Sequence, residues 1–136
     1  MSASTPLPLS AIAALHKARA QFEAQQFWDC HETLEPVWLA AAEPDKTFFQ
    51  GLIQVAAGFV HIQKRNPKGA QSLLGQGLEK LQGVRHHSAF QAAMALDTFI
   101  SETQTALNWV THARTDQWQQ ETPEPLAHPP RFIVRS

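Results

Sequence analysis

The sequence predicts an all-α fold: a compact antiparallel bundle of four to five helices with a proline-rich C-terminal tail. Two observations predict it. Apolar residues recur at spacings of three and four rather than two, the period of a half-buried helix. The chain's last sixteen residues, ETPEPLAHPPRFIVRS, hold Pro123, Pro125, Pro129 and Pro130, which leaves no room for a helix there. A length of 136 residues suits one core. It divides into a helical bundle over 1–114 and a proline-rich extended tail over 115–136.

The elements follow in order. Pro8 suits a first turn, and Ala11, Leu15, Ala18 and Phe22 then mark one face of a helix ending near Ala24. The second runs from about Phe27 to Ala42, where EPDK breaks it, because the residue before a proline is pushed out of helical geometry. The third, about Asp45 to Arg65, stops at Asn66-Pro67. It is apolar on most sides, as a central helix would be. The fourth spans about Pro67 to Gly83 on Ala70, Leu73, Leu74, Leu78 and Leu81, weakened by Gly75 and Gly77. Ser88 caps a fifth, reaching Arg114 on Ala89, Leu96, Ile100, Thr103, Leu107 and Val110.

Composition excludes several functions. A formal net charge of -1 with no basic stripe argues against a nucleic-acid partner. No stretch approaches the ~18 apolar residues of a membrane span; GLIQVAAGFVHI is too short and contains Gln54. The first twenty residues lack a signal peptide's basic start. The lone Cys30 excludes an internal disulfide and fits a reducing compartment. A soluble cytoplasmic protein is expected.

The stretch FWDCHETLEPVW, residues 27–38, holds the polar anomaly. Phe27, Leu34, Trp38 and Ala41 share one stripe, and His31 sits inside it with Glu35 one turn on, at its edge. Asp29, Glu32 and Thr33 point elsewhere. Pro36 removes the backbone donor to the Glu32 carbonyl, so an opened turn or kink is expected there. On the third helix Gln50, Gln54, Ala57 and His61 form a narrow polar line flanked by Gly51 and Gly58, which lets a neighbouring backbone come close. Antiparallel packing of helices two and three would bring Gln54 or His61 to His31 and Glu35. Buried polar groups need partners, so a shared site is expected.

FWDCHETLEPVW, FFQGLIQVAAGFVH and NPKGAQSLL together resemble the domain-of-unknown-function family 309, over about Ala18 to Leu81. The matching positions include His31, Glu32, Glu35, Trp38, Gln50, Gly51, Gln54, His61 and Gly69. Relatives often carry a glycine in the turn before the aromatic pair, where this chain has Gln25-Gln26. The resemblance implies a helical bundle and no activity.

Three functions fit. The first is a non-enzymatic binding or interaction module in which His31, Glu35, Gln50, Gln54, His61 and Trp38 form a buried polar network. The second is a metal-dependent hydrolase with a divalent transition metal on His31, Glu35 and His61, although H-E-x-x-E lacks a third ligand at a diagnostic spacing. The third is a metal-free small-ligand binder. Trp28 and Trp38 read as core residues, Cys30 as an inert thiol. Trp28, Phe49, Ile53, Val60 and Trp109 exceed what one small core can hold, so a homodimer is expected unless Phe132-Ile133-Val134 folds back over the surplus.

Overall fold

The computed structural model describes residues 5–135. Helix α1 (Leu9–Glu23) follows Pro8 and buries Ala11, Leu15, Ala18 and Phe22. Gln25 then takes a left-handed conformation, φ 60°, the geometry a glycine adopts without cost. Its side chain donates to the Leu126 carbonyl at 2.6 Å, tying the turn to the tail. α2 (Phe27–Ala40) runs past Pro36 as one helix, so the missing donor does not open it. Glu43 accepts hydrogen bonds from the Thr47 N–H and hydroxyl and closes the start of α3 (Asp45–Gln63). α4 (Pro67–Val84) begins at Asn66, whose side chain accepts from the Gly69 N–H.

α3 is the centre of the molecule, with Phe48, Phe49, Leu52, Val55, Phe59 and Ile62 buried. It lies between α2 and α4. The approach to α4 is close because glycines face each other. A Cβ added at Gly77 would lie 2.8 Å from the Gly51 carbonyl oxygen and 3.0 Å from the Val55 nitrogen. One added at Gly58 would meet Leu74 at 2.7 Å. The close neighbour expected on that flank was α2; it is α4.

The fifth predicted helix is two. α5 (Ser88–Ala93) and α6 (Leu96–His112) are separated at Met94, which is extended at φ -152°, ψ 164°. The tail explains the break. Val134 bridges Met94 in antiparallel fashion, the Ala95 N–H donates to the Ile133 carbonyl, and the Arg135 N–H donates to that of Ala93. A continuous helix would have consumed those groups internally.

The segment expected to be extended contains two short helices, α7 (Thr115–Trp118) and α8 (Glu124–Ala127). In α8 the prolines sit before and within the first turn, where no backbone donor is needed. Trp118, Leu126 and Phe132 are buried in the main core. Phe132 packs edge-on to Phe99 at 5.3 Å and lies 5.7 Å from Phe22. Trp118 meets Trp109 at 4.9 Å. Much of the apolar surplus therefore has an internal home. Phe49 and Ile53 are buried, while Val60 and Trp109 pack partly against the core. Trp28, Leu39, Leu9 and Ile133 remain exposed. No helix among the described residues is long and apolar enough to cross a membrane.

Candidate functional site

Two contacts set the register of α2 against α3. Phe27 packs on Phe59 at 5.0 Å, and Lys46 Nζ lies 5.1 Å from the Trp38 ring while donating to the Trp38 carbonyl. The helices are therefore antiparallel. Interpolating between those contacts puts His31 level with Gln54 and Glu35 level with Gln50.

His31, Glu35 and Trp38 lie at i, i+4 and i+7, one side of α2. His31 Nδ1 is 3.8 Å from Glu35 Oε2, too far for a hydrogen bond. The Glu35 side chain is 45% exposed, so the pair is a weak surface contact rather than a buried one. The His31 ring instead stacks on Trp28, with centroids 4.8 Å apart and planes within 8°. Trp28 is 57% exposed, so it belongs to the apolar surplus and not to the core. Its place at i-3 from His31 was the overlooked signal. Asp29 and Glu32 are exposed as expected, and Thr33 donates to Gln21 at 2.7 Å.

On α3 the polar line turns toward α4. Gln54 Nε2 donates to Gln76 Oε1 at 3.2 Å, and Gln76 in turn donates to the Ser72 hydroxyl. His61 Nδ1 lies 3.0 Å from Asn66 Nδ2. Because Asn66 Oδ1 already accepts from Gly69, the amide presents its nitrogen, so Nδ1 accepts and Nε2 carries the ring proton. His61 thus serves the cap of α4. Gln50 is half-buried beside Glu35's level.

The expected single network is therefore not assembled. The proposed ligand set also comes apart: His61 is held at the α3–α4 junction, away from His31 and Glu35. Among the described residues no group of three or more His, Cys, Asp or Glu is placed to hold a metal ion. What remains is an unusual deficit. His31 Nδ1, Trp38 Nε1 and Gln54 Oε1 are buried without a hydrogen-bond partner. The one other such atom among the described residues, Thr103 Oγ1, lies in α6. Chemically the three form a mixed set: the indole N–H can only donate, the amide oxygen can only accept, and the imidazole nitrogen does either. Cys30, on the core side of α2, is buried and has its thiol pushed up to about 12 by desolvation.

A family model described as a domain of unknown function (DUF309) matches residues 15–73. No curated protein and no solved structure matches the chain.

Proposed function

We propose, from the premise that residues 15–73 are similar to DUF309 and contain all six residues of the expected site, that the α2–α3 face is the recognition surface of a binding module. One observation carries the reading: the unpaired buried atoms of His31, Trp38 and Gln54. A buried polar atom without a partner costs about 1–3 kcal/mol. Three within two facing helices are a large fraction of a domain's ~5–15 kcal/mol stability. Such a cost is accounted for when the missing partner arrives with a ligand. The ligand chemistry follows from the atoms: at least one acceptor for Trp38 and one donor for Gln54, about two helical turns apart, as in a short molecule with an amide at each end. Glu35, not locked to His31, is free to swing and admit it.

The test separates a ligand site from a structural network. His31→Phe removes one unpaired atom and breaks no hydrogen bond, whereas Gln54→Met removes another together with the bond to Gln76. His31→Phe should be as stable as the parent or more so in denaturant unfolding, Gln54→Met should lose no more than the about 0.5–1.5 kcal/mol of that bond, and both should lose the thermal stabilisation that short diamides give the parent. Losses of about 1–3 kcal/mol in both variants would mean the atoms are satisfied in solution, and the binding reading would fall.

The same reading extends to self-association. Trp28 and Leu39 stand at i and i+11 on the outer side of α2, both exposed. A two-fold contact there would bury an aromatic near its axis. The low net charge and buried lone thiol are consistent with a cytoplasmic module that does not bind nucleic acid.

A further inference from the structure

At the far end of α2, the start of α1, the end of α2 and the start of α3 enclose a separate cleft of about 350 Å3. Pro8, Pro36, Val37, Ala41 and the fully buried Phe49 line it. The run Ala40–Ala42 keeps it open, since a larger side chain at any of the three would occupy the space. No Lys or Arg lines it, and Asp45 is its one charged group. The Asp45 carboxylate accepts no hydrogen bond from any described residue, unlike Glu43 beside it, which is engaged by Thr47. Burial raises its carboxyl above the ordinary aspartate value, and the charge of His87 only partly offsets this.

We propose that this cleft binds a small amphiphilic cation, an ammonium on a short apolar chain, with the chain against Val37 and Ala41 and the ammonium on Asp45. Pockets for small molecules combine an apolar lining with a few placed polar groups. Here the sole charged group is negative and unpaired, and charge complementarity fixes the sign of the ligand. An aspartate in a first turn also complements the helix dipole. That role accounts for the residue but not for the empty apolar space beside it. The half-unit positive charge of the helix end is outweighed by the full charge of the carboxylate.

The experiment is an amide NMR titration of the full chain with n-hexylammonium, n-hexanol and n-hexanoate. Hexylammonium should shift the amides of Ala40–Ala42 and Asp45 saturably, about tenfold more tightly than hexanol, with hexanoate weakest. Asp45→Asn should bring hexylammonium down to hexanol's level and leave hexanol unchanged. Ala41→Leu, which fills the cleft, should weaken all three. Absence of saturable shifts at these amides overturns the site. Equal binding of hexanoate and hexylammonium, or a charge preference that survives Asp45→Asn, overturns the assigned ligand class.

Discussion

At the scale of single residues, environment outweighs type. Cys30 is surrounded by core, and a thiol pushed up to about 12 has almost no thiolate at neutral pH. We predict no reaction with a disulfide reagent in the folded protein and one equivalent of reaction in denaturant; fast labelling of the native chain would contradict the burial of α2. Glu102 shows the opposite effect. Arg131 donates to it through its guanidinium and its backbone N–H, which holds the carboxyl below its ordinary 4.5. A lowered folded value means the unfolded chain takes up the proton more readily. The pair's stabilisation is therefore present above about 4.5 and lost as pH falls through the lower folded value. Glu102→Gln should be less stable than the parent at neutral pH, and urea midpoints should converge on acidification. A difference that stays constant with pH would exclude ionisation as its source. The two differ in legibility: the apolar neighbours of Cys30 show in the helical period, whereas a partner 29 positions away from Glu102 does not.

At the scale of elements, the contact between α3 and α4 depends on which glycines face inward. Gly77 meets backbone atoms of Gly51 and Val55, which cannot rotate away, whereas Gly75 has open space around it. By sequence the two are alike, equal weaknesses in one helix. The structure separates them. Gly75→Ala should stabilise by about 0.5–1 kcal/mol through helix propensity alone. Gly77→Ala should destabilise by about 1–3 kcal/mol, because the two helices must move apart. Chemical denaturation of both variants checks this, and equal effects of either sign would show that α4 is not seated on α3 as described. Gly69 carries a related constraint, since a Cβ there would lie 2.6 Å from His61 Nδ1. The α4 cap, the imidazole and the glycine are one arrangement.

At the scale of the molecule, the tail is a packing element. Trp118, Leu126 and Phe132 are each at most 8% exposed, and burying a side chain of that size is worth about 1.5–3 kcal/mol. A chain ending at Arg114 should lose several kcal/mol, unfold at lower temperature and expose the Phe22–Phe99 cluster. Thermal unfolding with light scattering on both chains reads the outcome. An unchanged midpoint would refute the tail's role. A dimer formed by the full chain supports the α2 contact, and one formed only after truncation would place the tail as the cover instead.

The sequence by itself determined the helices, most of their ends and most of their buried faces, because a period of 3.6 and a proline or an asparagine cap are local facts. Ala11, Leu15, Ala18 and Phe22 are buried as their spacing requires. It also singled out His31, Glu35, Gln50, Gln54, His61 and Trp38 as a polar set, and three of these residues hold three of the four unpaired buried atoms among the described residues. Only the tertiary structure decided which neighbour each helix edge receives. Gln54 and His61 turn to α4 because facing glycines admit its backbone on that flank. The fifth helix breaks at Met94 because an extended tail segment forty residues downstream takes the backbone groups around it. Periodicity fixes the face that a helix buries. The choice of what covers it rests on clearances and pairings between residues far apart in the chain, and these exist only once the chain has folded.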